Sequence, residues 1–523
     1  MKICILTAGK GSRIGEICKN INKALLPINN KPIISHIIEK FDEKDSFVIG
    51  LGYKSDQVKT YLKNIHPDRK FTFVNIKNHD GPGSGPGLSL LSCKKYLNEP
   101  FVFVPCDCNF LDKFKNLPGK NWIGVSKVQV SEMEQYCNVL VKKNKVIEIR
   151  DKKKCGEDYL TYTGLLVVND HKEFWLGLKK SVLIKKEHQV SNGLIRLMSK
   201  KNLYVKKIKW QDMGTLKQFQ QLQKDSDLTS IAKTNEFIYF VNNKVVKYFT
   251  DEKIIDNRIA KSKIKQSFFP KTKKIGNDFY SYPFWEGKTF YSCATPKLFK
   301  KLLSILDKEI WTSKKVEANI MKNLCEKFYY EKTISRIKLF LKQNTKYKFP
   351  KNVNGKKILP LETIIKKIPW EELYKGIPTF IHGDLQFQNI LYNSKLKKFL
   401  LIDWRQDFAG QIEFGDVYYD IAKLYGGIIM NYDYVLKDIF DYKENQDKTY
   451  VNFRKWKNSK QYQEILDDFI SKKGLDKKKI KLLVGLIYIN MSALHHYPFN
   501  NALIAYGSSI ISDVLNEKEK QIS

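Results

Sequence analysis

The chain has 523 residues, of which 42% are hydrophobic, and its formal net charge is +37. This length predicts two or three domains with enough apolar material for packed cores. No run of about 18 apolar residues occurs and no signal-peptide pattern opens the chain, so we expect a cytoplasmic protein without membrane insertion. The nine cysteines include no Cys-x-x-Cys pair, which argues against structural zinc and disulfides.

The excess of lysine would attract polyanions. Its clusters, at 152–154 and 477–479, lack the interleaved aromatic residues of a surface for single-stranded nucleic acid. We therefore expect small-molecule substrates and no specific nucleic-acid partner. The sequence leaves the oligomeric state open.

The first 220 or so residues alternate β-rich and helical patterns. Predicted strands cover 2–6, 46–51, 71–75, 101–104, 122–128, 139–141, 165–168 and 203–207, and predicted helices cover 32–41, 55–64, 89–96 and 190–200. This alternation predicts an α/β, Rossmann-like domain whose mainly parallel sheet has helices on both faces. Ligands of such sheets bind at the carboxyl ends of the strands.

A polar helical segment at 218–234 then separates two regions. We predict one domain over 1–225 and a second over 226–523. The second begins with predicted strands at 237–240, 245–249 and 279–283, and it is predicted to be helical from residue 403 to the end. A small β-rich lobe at about 233–290 before a helical lobe at about 291–523 is typical of a bilobal, kinase-like α+β domain.

A glycine-rich turn follows the first predicted strand. Gly9 and Gly11 would let the backbone approach a phosphate chain, and Arg13 offers a planar, charged fork. Residues 6–13 read Leu-Thr-Ala-Gly-Lys-Gly-Ser-Arg, and residues 23–27 read Lys-Ala-Leu-Leu-Pro. Over roughly residues 1–220, this pattern resembles the sugar-phosphate nucleotidyltransferase family, which includes phosphocholine cytidylyltransferases.

The resemblance implies roles for particular residues. Nucleotide-binding candidates are Leu6, Ala8, Gly9, Gly11 and Ser12; catalytic candidates are Arg13 and Lys23; magnesium ligands are Asp107 and Asp212, the latter within a Trp-Gln-Asp-Met-Gly-Thr sequence. Two carboxylates holding Mg²⁺ would let a substrate phosphate approach the α-phosphorus of a nucleoside triphosphate. An ionised phosphate nucleophile needs no general base.

Two further features of this region are less specific. Lys152 occupies the place of a family lysine that contacts the substrate phosphate, but the proline that usually follows is missing, so a solvated loop is an equal interpretation. Residues 81–87 occupy the place of a base-recognition loop, and their excess of Gly and Pro departs from the family pattern. The nucleotide base therefore stays open.

A second motif lies in the C-terminal half. The sequence His-Gly-Asp at 382–384, with Asn389 and Asp403, resembles the aminoglycoside phosphotransferase and choline kinase family over roughly residues 233–523. The resemblance implies that Asp384 is catalytic, orienting the acceptor hydroxyl or accepting its proton, and that Asn389 and Asp403 hold Mg²⁺ on ATP. It also implies that Lys247 contacts the ATP phosphates.

Other residues of this region have supporting roles in the prediction. Either Glu252 or Asp256 is the expected acidic partner of Lys247. His382 is expected to brace the loop rather than to react, and one of Asp416 and Asp420 is expected to do the same.

Together the motifs predict a bifunctional transferase. ATP would phosphorylate a small alcohol such as choline or ethanolamine, and a nucleoside triphosphate, favoured as CTP, would convert the product to a CDP-alcohol for a surface glycan or lipid. One alternative is a sugar kinase and sugar-phosphate nucleotidyltransferase that makes a nucleotide sugar. Others are a regulatory or binding protein with one inactive domain, a nucleic-acid binder and an antibiotic-modifying kinase.

Overall fold

A computed structural model describes residues 1–114, 117, 119–180, 182–224 and 235–522. The chain packs as two compact units, the first comprising Met1–Glu252 and Lys273–Phe284 and the second Lys253–Thr272 and Trp285–Ser523. The predicted domain boundary at residue 225 lies outside the described residues. Within the described ranges, no helix is both long enough and apolar enough to cross a membrane.

The first unit is built on a large mixed sheet. The strands of its N-terminal part are β1 (Lys2–Leu6), β2 (Pro27–Ile28), β3 (Lys31–Pro32), β4 (Ser46–Leu51), β5 (Lys70–Asn75), β6 (Phe101–Pro105), β7 (Cys108–Phe110), β8 (Trp122–Ser126), β9 (Cys137–Lys142), β10 (Lys145–Asp151), β11 (Tyr159–Val168), β12 (Leu183–Ile184), β13 (Glu187–His188), β14 (Tyr204–Lys207) and β15 (Trp210–Asp212). In the sheet the order is β5-β4-β1-β6-β11-β8-β14-β10-β9.

Strand direction changes across this sheet. β5, β4, β1 and β6 are parallel, whereas β11 is antiparallel to both β6 and β8, and β10 is antiparallel to β9 and β14. The prediction of a mainly parallel sheet is therefore correct throughout the half that contains residues 2–105. In the other half, β8 and β14 are also parallel, and the remaining neighbouring strands are antiparallel. The other half contains a tight β9–β10 hairpin, in which Lys143 and Asn144 both have positive φ, and a two-residue hairpin turn requires antiparallel strands.

Helices cover both faces of the sheet, as predicted. They are α1 (Ile33–Ile38), α2 (Ser55–Ile65), α3 (Pro86–Ser92), α4 (His171–Lys179), α5 (Ser191–Lys200) and α6 (Leu216–Lys224). Because side chains alternate along a strand, Ile3 and Ile5 of β1 enter one hydrophobic core with α1 and α2, while Cys4 enters another with α3, α4 and α5. The glycine-rich turn and Asp107 follow the neighbouring parallel strands β1 and β6, at the same edge of the sheet.

A smaller antiparallel sheet completes the first unit. Its strands are β16 (Glu236–Val241), β17 (Lys244–Phe249), β18 (Lys273–Ile275) and β19 (Phe279–Pro283), in the order β16-β17-β19-β18. The three strands predicted here are confirmed. The Tyr61 ring of α2 lies 6.0 Å from that of Tyr239 and 5.9 Å from that of Phe279, and the Tyr239 hydroxyl donates to the Leu25 carbonyl oxygen at 2.9 Å. These contacts explain why the small sheet packs as part of the first unit.

The second unit is mostly helical. Its strands are β20 (Lys288–Thr289), β21 (Asn352–Val353), β22 (Lys356–Lys357), β23 (Pro378–Thr379), β24 (Ile390–Asn393), β25 (Lys398–Leu401), β26 (Gly415–Asp416), β27 (Phe440–Asn445) and β28 (Lys448–Phe453). Its helices, beginning at the junction of the units, are α7 (Glu252–Ile264), α8 (Phe290–Cys293), α9 (Pro296–Ile305), α10 (Ala318–Cys325), α11 (Lys332–Gln343), α12 (Leu361–Lys367), α13 (Trp370–Tyr374), α14 (Val417–Ile429), α15 (Tyr432–Val435), α16 (Ser459–Lys472), α17 (Lys477–Ser492) and α18 (Phe499–Ile522). Helices α11, α14 and α18 pack against α17.

The prediction of continuous helix after residue 403 is wrong, because β27 and β28 form an antiparallel hairpin. Along β28, Thr449, Val451 and Phe453 are buried and alternate with less buried residues. This period of two is typical of a strand with one buried face. A residue with positive φ, Gln446, lies in the turn between the two strands.

Candidate active sites

The glycine-rich turn after β1 has two glycines with different constraints. Gly11 has a φ of +67°, and a Cβ atom at this position would lie 2.8 Å from Cys18 Sγ, so the turn itself requires glycine here. A Cβ at Gly9 would meet no atom within 4 Å among the described residues. Packing within the protein therefore does not require glycine at position 9. A ligand that lay directly against the backbone would require it, because a side chain would occupy the ligand's space.

The residues on either side of these glycines are held differently. Leu6 ends β1, and Ala8 is buried with its carbonyl oxygen accepting from Tyr53 N at 2.9 Å. Ser12 and Arg13 are exposed. The start of the turn is therefore held by the sheet, while its end is exposed to solvent. A phosphate chain could reach the exposed part.

Lys23 lies beside this turn and reaches Asp107. The Asn22 side chain caps the short 3-10 helix Lys23–Leu25 and donates to the Thr7 carbonyl oxygen at 2.9 Å, which ties the lysine segment to the turn. Lys23 Nζ lies 2.6 Å from Asp107 Oδ2. Burial disfavours both charges, but their mutual attraction outweighs it, so the pKa of Lys23 is raised and that of Asp107 is lowered.

Asp212 lies on the strand next to Asp107. β15 pairs with β7 so that Asp212 faces Cys108, and Met213 N donates to the Asp107 carbonyl oxygen at 2.9 Å. The Asp212 carboxylate accepts hydrogen bonds from Gly214 N, from the Tyr136 hydroxyl at 2.8 Å and from Gln218 Nε2 at 3.1 Å. The structure thus places Asp107 in the turn before β7 and Asp212 at the end of β15, the strand paired with β7.

Arg13 belongs to the same group of charges. A Cβ atom placed at Gly214 would lie 3.2 Å from Asp212 Oδ1 and 3.6 Å from Arg13 Nη2, so both side chains reach the same position. Tyr136 and Gln218 were not predicted as site residues. Neither belongs to a motif, and only the fold brings them to Asp212.

The first group of charges fits a magnesium ion. Mg²⁺ prefers oxygen ligands and commonly takes one or two carboxylates, completing its shell with water and substrate phosphates. Asp107 and Asp212 supply such carboxylates. Across the described ranges, no group of three or more His, Cys, Asp and Glu residues is placed to hold a metal. A metal bound here would therefore depend on phosphate oxygens of the nucleotide for its remaining ligands.

Lys152 lies at the end of β10, on the other side of Tyr136. It has a φ of +53°, its N–H donates to the Tyr136 carbonyl oxygen at 2.9 Å, and its Nζ lies 3.2 Å from Glu187 Oε2. The 81–87 loop packs against the same β13 hairpin, since a Cβ at Gly85 would lie 2.5 Å from the His188 carbonyl oxygen. Close packing accounts for this glycine, and the role of Lys152 in binding substrate stays a prediction.

A second polar cluster lies in the other unit, on the 382–389 loop. His382 is fully buried; its Nδ1 accepts from Asp384 N at 3.2 Å and its Nε2 donates to the Ile402 carbonyl oxygen at 2.9 Å. Burial lowers the pKa of His382 to about 4, which keeps the ring neutral. The Asp420 carboxylate accepts from His382 N and Gly383 N, each at 2.7 Å. These hydrogen bonds hold the loop in the way predicted for His382 and for one of the two downstream aspartates, which is Asp420. That His382 takes no part in the reaction stays a prediction.

Asp384 is the centre of this second cluster. Its carboxylate accepts from Lys423 Nζ at 2.8 Å and from Asn389 Nδ2 at 3.2 Å. Although burial would raise it, the pKa of Asp384 is lowered by the adjacent Lys423. The Asn389 backbone carbonyl oxygen accepts from Ile402 N at 2.8 Å, next to Asp403, which has a φ of +57°. The structure thus brings Asp384, Asn389 and Asp403 to two loops joined by hydrogen bonds.

This arrangement also fits magnesium. Because the Asn389 amide nitrogen faces Asp384, its Oδ1 is left for a cation, and Asp403 would supply a carboxylate. Lys247 is buried on β17 of the first unit, in register with Ile238 and Tyr280. Glu252, one of its two candidate partners, accepts from Lys274 Nζ at 2.8 Å. The role of Lys247 stays a prediction.

Residues 3–113 match the MobA-like NTP transferase domain family. The match includes the glycine-rich turn, Lys23 and Asp107, and it ends before Lys152 and Asp212. The chain therefore carries an N-terminal MobA-like NTP transferase domain, which confirms the predicted resemblance at this level. The resemblance of the C-terminal region to a kinase stays a prediction.

Several curated proteins are similar to the same region. The bifunctional protein GlmU of Methanocaldococcus jannaschii is 30% identical over 220 residues, which are 41% of this chain and 51% of that protein. The D-glycero-alpha-D-manno-heptose 1-phosphate guanylyltransferase of Aneurinibacillus thermoaerophilus is 23% identical over 159 residues, 29% of this chain and 68% of that protein. A probable glucose-1-phosphate cytidylyltransferase of Bacillus subtilis is 40% identical over 64 residues, 12% of this chain and 25% of that protein. The chain spans about half the length of the first of these relatives.

Proposed function

We propose that the chain is a bifunctional transferase. Its second domain phosphorylates the hydroxyl of a small alcohol with ATP, and its first domain transfers a nucleotidyl group from a nucleoside triphosphate to that phosphate. The observation that carries this proposal is the pair of separate lysine–aspartate centres, Lys23 with Asp107 and Lys423 with Asp384, each beside further candidate magnesium ligands. This pair of centres argues against a protein in which one of the two domains is inactive.

The nucleotidyl transfer uses residues of the first centre. An oxygen of the substrate phosphate attacks the α-phosphorus, the bond between that phosphorus and the β-bridging oxygen breaks, and pyrophosphate leaves with the electron pair. Arg13 and Lys23 stabilise the charge that moves to the leaving group. The backbone at Gly9 and Gly11 lies against the triphosphate. Mg²⁺ held by Asp107 and Asp212 would neutralise the two anions that meet.

The phosphoryl transfer uses residues of the second centre. The acceptor hydroxyl lies against Asp384, which orients it and accepts its proton as the oxygen attacks the γ-phosphorus of ATP. The bond to the β-bridging oxygen breaks and ADP leaves. His382 and Asp420 hold the loop in place, while Asn389 and Asp403 would hold Mg²⁺ on the phosphates. Lys247 is proposed to contact the ATP phosphates.

The proposal for the phosphorylated substrate can be stated broadly or narrowly. The names of two relatives refer to sugar 1-phosphates, one with a guanylyl and one with a cytidylyl group, which supports a phosphorylated sugar or similar polyol as the substrate of the first domain. The narrow form, in which CTP and a choline-like phosphate yield a CDP-alcohol, remains a candidate. The base is left open because the 81–87 loop departs from the family pattern.

The test separates the two reactions in the full chain. Asp107→Asn should lower nucleotidyl transfer, measured as pyrophosphate released from each of four nucleoside triphosphates with supplied sugar and alcohol phosphates, by about 10³-fold or more. Asp384→Asn should lower ATP-dependent phosphorylation of unphosphorylated acceptors by about 10²–10⁴-fold. Each variant should keep the other activity within about twofold, since the changes are isosteric.

Exposed carboxylates supply the controls: Asp68→Asn in the first unit and Glu464→Gln in the second remove the same charge at a surface position. Both controls should behave like the wild type. If either Asp107→Asn or Asp384→Asn abolishes both reactions while the protein keeps its thermal unfolding temperature, two independent sites are excluded. If only pyrophosphate release is ever observed, the phosphotransferase half of the proposal fails.

A further inference from the structure

Asp384 and Asp403 lie among more positive charge than two carboxylates can balance. Besides Lys423, three cationic side chains interact electrostatically within this neighbourhood: Lys332, Arg336 and Arg405. Lys332 and Arg336 lie one turn apart on α11, and Arg405 follows Asp403 by two residues. Asp407, the acid nearest to Arg405 on its C-terminal side, accepts from Gly410 N at 3.0 Å.

Aromatic rings hold two of these cations in place. Lys332 Nζ lies 4.1 Å from the centre of the Phe328 ring and 5.6 Å from that of Tyr419, and the Arg405 guanidinium lies 4.9 Å from the Phe328 ring. Phe328 is itself fixed by stacking on Phe408 at 4.2 Å. Such contacts orient the cations but do not neutralise them.

Among the described residues, no acid forms an ion pair with this group of cations. Within the part of the chain that the structure describes, neither the Lys332 amine nor the guanidinium of Arg336 or Arg405 makes an ion pair or a side-chain hydrogen bond, and Arg405 Nε is buried without a partner. Burial and the neighbouring cations hold the pKa of Lys332 well below its ordinary value. A half-buried group of like charges is unfavourable by itself, and an anionic ligand bound among these cations would offset the repulsion.

The geometry points to an acceptor that carries its own negative charge. We propose that the second domain phosphorylates an alcohol bearing a carboxylate or a phosphate group, and that Lys332, Arg336 and Arg405 bind that anion while Asp384 holds the hydroxyl. The inference rests on the proposed phosphotransferase function and narrows its substrate class.

The same geometry argues against a choline-like acceptor. Recognition of a quaternary ammonium group requires free aromatic faces, and Lys332 and Arg405 lie over the Phe328 ring, with Lys332 also over Tyr419. A second cation in this pocket would add to the repulsion. The ATP phosphates are the alternative anion for this group of cations, and varying the charge of the acceptor distinguishes the two.

The experiment varies acceptor charge on fixed carbon skeletons. One series is serinol, glycerol, glycerate and glycerol 3-phosphate, and a second is glucosamine, glucose, glucuronate and glucose 6-phosphate. Equilibrium binding is measured with Mg²⁺ and a non-hydrolysable ATP analogue, and phosphoryl transfer is measured with labelled ATP. In at least one series, an anionic member should bind about tenfold or more tightly than its neutral counterpart. The carboxylate and phosphate arms identify which anion is preferred.

Three variants and one control locate the effect on anion binding. Lys332→Gln and Arg336→Gln should reduce the anion preference to about twofold or less while leaving binding of the neutral compound unchanged. Lys332→Arg should retain the preference because it keeps the charge. Lys338→Gln, which removes one charge from the exposed face of the same helix, should behave as the wild type.

Each other outcome overturns a defined part of the proposal. Equal or tighter binding of the neutral or amine compounds overturns the anionic acceptor. The anionic acceptor is also overturned if Lys332→Gln raises the KM for ATP equally with neutral and anionic acceptors, because the cations would then bind the nucleotide. Anion-selective binding without phosphoryl transfer to any compound leaves the anion site intact and overturns the phosphotransferase function.

Discussion

The two candidate active sites use the same pair of residue types in different electrostatic surroundings. In the first unit Lys23 lies 2.6 Å from Asp107, and in the second Lys423 lies 2.8 Å from Asp384. Around the first pair, Arg13 and Asp212 add one charge of each sign. Around the second pair, Asp403 adds one negative charge and Lys332, Arg336 and Arg405 add three positive ones, so positive charge is in excess.

This difference indicates what each site lacks. The charges of the first site are balanced, but its two proposed ligands, a triphosphate and a substrate phosphate, are both anions. A divalent metal would supply the additional positive charge that they require. A site with an excess of cations beyond the catalytic carboxylate lacks negative charge, which a substrate supplies. A lysine–aspartate pair alone therefore does not reveal the charge of the ligand, and the residues around it do.

The largest expected effect comes from removing Lys423. In Lys423→Met, phosphoryl transfer should fall by about 10²-fold or more, because Asp384 loses its charged partner in a buried site. Burial then dominates, so the pKa of Asp384 rises and the acidic limb of the kcat/KM profile moves to higher pH. The pH dependence of both activities provides the measurement, and nucleotidyl transfer should keep its wild-type profile.

The sign of the stability change follows from the same pKa shift. In the wild type the pKa of folded Asp384 lies below its unfolded value, so its stabilisation is present above the unfolded pKa and is lost as pH falls through the folded pKa. The variant lacks this stabilisation. An unchanged acidic limb together with an unchanged unfolding temperature at neutral pH would contradict the ion pair.

The two glycines of the first site should separate folding from ligand binding. Gly11→Ala should lower kcat/KM for nucleotidyl transfer by about 10²-fold and also lower the unfolding temperature, because the residue has positive φ and its Cβ would collide with Cys18 Sγ. Gly9→Ala should leave the unfolding temperature unchanged and raise KM for the nucleoside triphosphate by about tenfold. Equal unfolding temperatures for both variants would be inconsistent with this structure of the turn.

Tyr136 should act as a positioning residue for Asp212. Tyr136→Phe removes the 2.8 Å hydrogen bond to the carboxylate but keeps the ring against Trp210. The concentration of Mg²⁺ that gives half-maximal nucleotidyl transfer should rise by about three- to tenfold, with a smaller change in kcat at saturating Mg²⁺. An effect on kcat alone would place Tyr136 at the reacting atoms instead.

The smallest expected effect is a gain in stability. Lys332→Met should raise the unfolding temperature by about 1–3 °C at neutral pH, because it removes a cation from a repulsive group. The pKa of Lys332 is lowered on folding, so its protonated form destabilises the protein, and the difference from the wild type should narrow as pH rises towards the ordinary lysine value. Lys338→Met serves as the exposed control and should show no gain.

The parts of the fold that sequence predicts are those with local signals. The apolar run of β1 before a glycine-rich turn, the amphipathic helix α2 and the aspartate after β6 each show a short-range pattern. Strand β10 and helix α4 were missed, as was the β27–β28 hairpin, whose alternation lies within a polar segment. Their identity depends on tertiary partners more than on local pattern.

The site residues divide in the same way. Asp107, Asp212, Asp384, Asn389 and Asp403 lie in recognisable motifs, and the structure brings each set together. Their cationic partners are harder to predict because 92 lysines and arginines look alike in the sequence. Only the fold distinguishes Lys423 and Lys332 from a surface lysine such as Lys338, since helices α11 and α14 carry them to a loop far away in the chain.

The most direct test of two separate metal–nucleotide sites is to count bound Mn²⁺, a paramagnetic substitute for Mg²⁺, in the presence of non-hydrolysable analogues of the nucleoside triphosphates. Free Mn²⁺ is measured by electron paramagnetic resonance for the wild type, Asp107→Asn, Asp403→Asn and the double variant. We expect two classes of tight site in the wild type, loss of a different class in each single variant and loss of both in the double variant. Loss of all tight sites in one single variant, or an unchanged count in the double variant, would contradict the account.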